Sequence, residues 1–438
     1  MAFPRSPPQE LRLRRHIPNE RQRQRSWWAG ALLATLCVLA IPGMSAEQVP
    51  GRSLESVRTW MLAQNPELRA LRLEAEAARA RILPAGALPD PSAGITLRGL
   101  KPGEPWRSAE MGREITYSLR QQFPLWGKRE LARNSARQQA DASELDVDSA
   151  IRDLLAEAES AYVRYWHADK AVAVIDRRIT LLRQIEEVAG VRYALGVAPQ
   201  QDAIRAQVEQ TSMRRERIER LAAKREATAM LNGVLGRPAA AALASPEAAP
   251  KLPLAGEEPA QLPRMADHPA VLAQQARADA AGSNALLQHR NRLPDVTLGV
   301  GAMQRGGGLR SLELMLEVEI PLQQRARRER EREARLLEQA AQVRVEATRR
   351  ALDARDAVAR TQWSSARERR QLTEQVLLPQ ADAAFQSALA SYQVGEVDFG
   401  TLLEALDAWQ GANLARVDAL RDELLGAAAV RAVEGDVP

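Results

Sequence analysis

Over residues 311–320, SLELMLEVEI, apolar and polar positions alternate strictly. Leu312, Leu314, Leu316, Val318 and Ile320 fall on one side of an extended chain, and Ser311, Glu313, Met315, Glu317 and Glu319 on the other. A period of two sustained over roughly ten residues predicts a strand with one apolar and one polar face. Residues 296–303 repeat the pattern, with Val296, Leu298, Val300 and Ala302 set against Thr297, Gly299, Gly301 and Met303. At 114–123, Ile115, Tyr117, Leu119 and Phe123 alternate with Thr116, Ser118, Arg120 and Gln122, Gln121 being the exception. A fourth strand is expected at 92–100. Pro124 and Pro321 close the later strand of each pair, where a missing amide donor is tolerable.

The rest of the chain has helical spacing. Neither Gly nor Pro occurs between Lys128 and Val188. Ile151, Leu155, Ala158, Tyr162, Tyr165, Ala168, Val172, Ile175, Ile179 and Leu182 recur three or four apart, slipping once at Ala168, as a coiled-coil seam does. A helix over 128–195 would be roughly 100 Å long, a rod that no compact core requires. A second such run starts at Leu322 and reaches Pro379, where a kink rather than an end is expected. Each rod leads to a tight reversal, at 193–202 and 392–401, with Gly196 and Gly395 placed where positive φ is needed.

These elements occur twice. NPELRALRLEAEAARA from Asn65 is echoed by HPAVLAQQARADAAGS from His268, LPD at Leu88 by LPD at Leu293, FPL at Phe123 by IPL at Ile320, and YALGVAPQQD at Tyr193 by YQVGEVDFGT at Tyr392. The order is kept and every offset is about 200 residues, which marks a tandem duplication of a large unit. The expected organisation is a leader over 1–46, a first repeat over 47–236, a Pro/Ala-rich connector over 237–264 and a second repeat over 265–438. In each repeat a helix, a strand pair, a long helix, a tight turn and a further helix follow in order.

Charge and composition change the picture at the N-terminus. Arg5, Arg12, Arg14, Arg15, Arg21, Arg23 and Arg25 precede the apolar run WWAGALLATLCVLAI, and small residues follow in GMSAEQ. A basic region, a short apolar core and a small-residue site describe a signal peptide cleaved after Ala46; an uncleaved inner-membrane anchor is the alternative. The leader holds seven arginines against Glu10 and Glu20, a surplus of five that equals the formal charge of +5 for the whole chain. The mature protein is therefore close to neutral, and no nucleic-acid partner is expected despite a pI near 9.6. Cys37, the one cysteine, lies in the leader too, so the mature chain has no thiol for a disulfide, a thiolate metal site or a nucleophile.

A strand with one greasy and one acidic face packs on a second sheet in a soluble sandwich, or faces lipid and water in an outer-membrane barrel. A signal peptide, only four such strands and no other β structure favour the barrel. Four strands cannot enclose water, because barrels need about eight or more, so several protomers must contribute. Arg120, Glu313, Glu317 and Glu319 would then line the lumen.

With these residues in view, the chain resembles the TolC-type outer-membrane efflux family over nearly everything after the leader. LLPQADAAFQSALASYQVGEVDFGTLLEALDAW is similar to that family's second-repeat turn, and QQFPLWGKRE to its heavy-metal-exporter subgroup. The resemblance implies a mainly α protein with a small β part. Three protomers would form a twelve-stranded barrel continuing into a coiled-coil helical barrel of twelve helices in the periplasm. It implies an exit duct that passively conducts metal cations or drugs, working with a periplasmic adaptor (membrane fusion) protein and an inner-membrane pump of the resistance-nodulation-division type. It further implies that Tyr193, Gly196, Val197, Asp202, Tyr392, Gly395 and Glu396 at the helix tips contact the adaptor. Asp398 and Glu404 would narrow the tunnel, although capping explains an acidic residue at a helix start equally well. Thr401 departs from the acidic residue some members carry one turn earlier. The rival reading is a periplasmic coiled-coil adaptor or scaffold that never enters the outer membrane.

The remaining motifs point to no chemistry. His167, His268 and His289 lack metal-ligand spacing, and His167 reads as structural within an aromatic stretch. RGGGLR at Arg305 lacks a following Gly-Lys-Ser/Thr and reads as a turn. In RARRERERE, Glu329 and Glu331 lie four residues after Arg325 and Arg327, and Arg335 follows Glu331 at the same spacing, as on a solvated helix. No catalytic residue, metal site or cofactor is expected.

Overall fold

The computed structural model describes residues 49–98, 114–251 and 265–434. The expected leader at 1–46, the end of the first strand at 99–100 and the later part of the connector at 252–264 lie outside them.

Two short helices, α1 (Leu54–Gln64) and α2 (Pro66–Ala80), lead through α3 (Ile82–Ala85) into β1 (Ser92–Arg98) and β2 (Glu114–Phe123). Next come the rod α4 (Lys128–Ala194) and α5 (Gln200–Val234). The second repeat runs through α6 (Pro269–Arg290), β3 (Asp295–Arg305), β4 (Gly308–Glu319), α7 (Gln324–Leu372), α8 (Leu378–Val394) and α9 (Phe399–Glu434). Helix α1 was not expected from the hydrophobic period. Its start is fixed by Ser53, whose hydroxyl accepts from the Ser56 amide while Ser56 reaches back in a capping box.

Helix α4 has 67 residues, running through the stretch free of Gly and Pro and past Gly190 in its last turns. Its seam is core: Leu155, Ala158, Tyr162, Tyr165, Ala168, Val172, Ile175, Ile179 and Leu182 are all buried. Two clusters divide the work. One joins α1, α2, α4, the end of α5 and the end of α9 around Met61, Tyr162 and Leu231. The other joins the far half of α4 to α5, α8 and α9 around Ile175, Phe385 and Leu402. A buried ion pair fastens α1 to α4, with Arg58 Nη2 2.6 Å from Glu159 Oε1, and Arg431 of α9 approaches the same carboxylate at 3.4 Å.

Pro379 does not end the second rod. A π-helical turn at Thr373–Leu377 separates α7 from α8, and Pro379 sits in the first turn of α8. The wider turn accommodates a residue that has no amide donor and whose ring would clash with the carbonyl four residues back. The connector is irregular to residue 251, as expected, yet pinned. The Ala244 amide donates to the Pro50 carbonyl at 3.1 Å, and the Tyr165 hydroxyl to the Ala244 carbonyl at 3.2 Å.

Candidate functional site

The four strands form one antiparallel sheet in the order β1-β2-β3-β4. Residues directly opposite across an antiparallel pair share a face, so the register decides what each face carries. Ile95 pairs with Tyr117 and Tyr117 with Ala302; Leu119 pairs with Val300 and Val300 with Leu314; Leu298 pairs with Leu316. The opposite face joins Ser92, Arg120, Gly299 and Met315 in one row and Gly94, Ser118, Gly301 and Glu313 in the next. Thr297 and Glu317 share that face, as do Asp295 and Glu319. The alternation read from single strands thus holds across the sheet except at Gln121, which pairs with Leu298 on the apolar face, and Arg120, Glu313, Glu317 and Glu319 share the polar face. The β3–β4 hairpin is longer than the expected 296–303 and 311–320. It closes at Gly306 and Gly307, both at positive φ (62° and 83°), as a two-residue hairpin turn of the right twist requires.

Exposure runs opposite to that of a soluble sandwich. Leu312, Leu314 and Leu316 are 78%, 87% and 68% exposed, whereas Ser311, Glu313 and Met315 on the polar face are half-buried. Ile95, Tyr117, Leu119, Leu298 and Val300 are exposed with the leucines. Full burial of a side chain of this kind is worth about 1.5–3 kcal/mol, so this face is strongly driven to leave water. On the polar face the glycines let neighbours close in: a Cβ on Gly299 would lie 3.2 Å from Met315 Cβ and 3.3 Å from Arg120 Cγ.

At the far end of the rods the two reversals are built alike. Gly196 (φ 72°) and Gly395 (φ 87°) end α4 and α8. In each, the glycine amide returns to the carbonyl three residues back (Tyr193, 2.9 Å; Tyr392, 3.2 Å), and the next amide to the carbonyl five back (Arg192, 3.0 Å; Ser391, 2.9 Å). This is the paired hydrogen bonding of a Schellman cap. The side chains then diverge. Tyr193, Val197 and Glu396 are exposed, with Leu195 and Val394 beside them. Tyr392 and Asp202 turn inward instead. The Tyr392 hydroxyl donates to Asp202 Oδ2 at 3.1 Å and joins the two reversals. Arg192 stacks over the Tyr392 ring at 4.7 Å, and Phe399 meets its edge with centroids 5.6 Å apart. Burial, with Asp202 alongside, pushes the Tyr392 phenol up to about 12. The duplicated motif gives no sign of this divergence.

Asp398 is exposed and caps α9, accepting from the Thr401 amide at 2.7 Å and the Thr401 hydroxyl at 2.8 Å. Those bonds hold its carboxyl below the usual range. Glu404 is exposed and has no ion-pair or hydrogen-bond partner among the described residues. His167 is structural, its Nε2 lying 2.6 Å from Asp418 Oδ1 between α4 and α9, and burial lowers its pKa.

The charged start of α7 differs from the expected pairing in part. Glu331 pairs with Arg335 as expected, but also with Arg292 (2.9 Å) and His289 (2.9 Å) across α6. Arg327, expected on Glu331, donates to the Asn291 carbonyl at 2.5 Å, and the pair of Arg325 with Glu329 does not form. Tertiary partners at the end of α6 and in the turn after it outcompete spacing along one helix. Among the described residues no helix is long and apolar enough to cross a membrane, and no group of three or more His, Cys, Asp or Glu gathers as a metal site would.

Long paired helices carrying an isolated sheet with one lipid-compatible face define the protomer of an outer-membrane channel. The chain belongs to the outer membrane efflux protein family, whose model matches residues 59–237 and again 265–435, one match for each repeat. The fold is that of solved channels of this kind. The outer-membrane channel OprN is 20% identical, with a TM-score of 0.74 over 88% of this chain and 90% of its own. A membrane protein from Pseudomonas aeruginosa is 22% identical, with a TM-score of 0.76 over 89% and 91%. CusC, solved in a study of transmembrane channel formation, is 16% identical, with a TM-score of 0.75 over 88% and 92%. None of the curated proteins matches the chain. Membership sets this protein in the outer membrane, with the channels rather than with adaptors or scaffolds.

Proposed function

We propose that three copies assemble into the exit duct of a tripartite efflux system. The observation that carries this reading is the four-stranded sheet, apolar and exposed on one face, polar on the other, and unpaired at both edges among the described residues. Three such sheets supply twelve strands, enough to enclose water, with the apolar faces against outer-membrane lipid and Arg120, Glu313, Glu317 and Glu319 toward the lumen. The helices continue the duct into the periplasm. Substrate arrives from an inner-membrane pump of the resistance-nodulation-division type through a periplasmic adaptor and passes without a chemical step.

The tips are the docking end for the adaptor. Tyr193, Val197 and Glu396 supply the exposed contacts, Gly196 and Gly395 shape the reversals, and Tyr392 and Asp202 hold them together from inside. Heavy-metal cations are the substrate class we favour, from the likeness of QQFPLWGKRE to metal-exporter channels; drugs are the second. The test is detergent extraction of separated membranes, then mass determination of the purified particle. A trimer from the outer-membrane fraction is expected; a monomer outside it overturns the duct.

A further inference from the structure

Among the described residues the sheet ends on two unpaired edges, β1 and β4. The duplication supplies a template for what completes them, because inside one protomer the two repeats already meet along β2 and β3. At that seam β2 leaves through Phe123-Pro124-Leu125 toward Lys128, and β3 enters from Leu293-Pro294-Asp295. Lys128 Nζ lies 2.8 Å from both Asp295 oxygens and donates to the Leu293 carbonyl at 2.9 Å. The Leu125 amide donates to Asp295 Oδ1 at 3.0 Å. Both charges of this clamp are largely shielded from water, with side chains 7% and 17% exposed.

Carried forward by one repeat, Phe123-Pro124-Leu125 becomes Ile320-Pro321-Leu322, and Lys128 becomes Arg325. Carried back, Leu293-Pro294-Asp295 becomes Leu88-Pro89-Asp90. Arg325 and Asp90 are both exposed, and neither has an ion-pair or hydrogen-bond partner among the described residues. They follow β4 and precede β1, on opposite edges of the sheet, so one chain cannot join them. Each protomer carries half a clamp at each edge.

We propose that Arg325 pairs with Asp90 of the partner subunit, repeating between subunits the clamp that Lys128 and Asp295 make within one. This deepens the trimeric reading above and rests on it. The register of the shared seam follows. Transposing Gln121 on Leu298, Leu119 on Val300 and Tyr117 on Ala302 sets Val318 opposite Ala93 of the partner subunit, Leu316 opposite Ile95 of the partner subunit and Leu314 opposite Leu97 of the partner subunit. Apolar meets apolar throughout. The same register brings Glu313 opposite Arg98 of the partner subunit on the polar face. Neither the clamp nor the apolar rows require that charge match. A slip of one residue would turn the leucines toward the polar face, so register is strongly specified here.

The experiment joins charge reversal with cysteine pairing, each read by the mass of the detergent-extracted particle. Arg325→Asp and Asp90→Arg should each lower the recovered trimer on the order of tenfold, and the double variant should restore it, as expected for coupled charges in contact. With Cys37 replaced by Ser, Leu316→Cys combined with Ile95→Cys should give covalent trimers on oxidation. Leu314→Cys combined with Ile95→Cys, displaced by two residues, should not. Trimers indifferent to charge reversal, or cross-linked by the displaced pair, would overturn the clamp and its register while leaving the duct intact. A wild-type particle that is monomeric, with no cross-link from either pair, would instead sink the trimeric reading itself.

Discussion

Tyr392 and Asp202 are 190 positions apart, and their hydrogen bond is the point where the two repeats hold each other at the tips. Removing the hydroxyl with Tyr392→Phe leaves the Asp202 carboxylate in a buried place without its donor. The expected cost is about 1.5–3 kcal/mol, the range for a hydrogen bond to a charged group. Hydrogen exchange at the ends of α5 and α8 should quicken in this variant while α4 near Tyr162 stays protected; equal protection in both proteins would remove Tyr392 from this role. The same bond carries a pH dependence. The folded-state phenol, at about 12, lies above its ordinary value near 10, so folding favours the neutral hydroxyl. That contribution is complete below pH 10 and is lost as pH rises from 10 through 12. Burial pushes the Tyr162 phenol up to about 12 as well, so ultraviolet titration should show one fewer late-ionising tyrosine in Tyr392→Phe, with the Tyr162 contribution kept. Both residues were legible as tip residues, because the Tyr-x-x-Gly reversal appears twice. Their pairing was not, since period and turn chemistry are local and this contact depends on how two hairpins dock.

Among elements, the strands and rods were the most legible, because period-two alternation and an unbroken Gly-free, Pro-free run leave few alternatives. What escaped depends on neighbours: the π turn before Pro379, the partners of Glu331 and the small capped helix α1. Packing of α9 against α7 was also hidden, and it makes a sharp demand at Gly426. A Cβ there would sit 2.8 Å from the Trp363 Cα and 3.0 Å from its Cβ, backbone-level contacts that no rotamer change relieves. Gly426→Ala should destabilise the chain by about 1–3 kcal/mol, in the range of core overpacking, and lower the thermal midpoint. An unchanged midpoint would mean the two helices separate freely. In the sheet, Leu316→Arg places a charge on the lipid face at an expected cost of about 2–4 kcal/mol near the bilayer centre, so the variant should be depleted from the outer-membrane fraction. Normal recovery would show that Leu316 does not meet lipid.

For the assembled molecule, the acidic residues at the start of α9 separate into two kinds. Asp398 spends its carboxylate on the Thr401 amide and hydroxyl, so its replacement should loosen the first turn of α9 rather than alter permeation. Glu404, six residues further along, is exposed and engages no other described residue, so its charge stays free for the tunnel constriction that the resemblance implies. Threefold repetition would turn that single carboxylate into a ring, and such rings favour cations by lowering their energy at the narrowest point. Glu404→Gln keeps the size of the side chain and removes three charges from the trimer at once. In planar bilayers under a salt gradient, the reversal potential of the Gln channel should move toward zero, with conductance changing less than selectivity. Asp398→Asn serves as the matched control and should leave the reversal potential near that of the wild type. A shift produced by Asp398→Asn alone would move the constriction to the cap and return Glu404 to an ordinary solvated helix face.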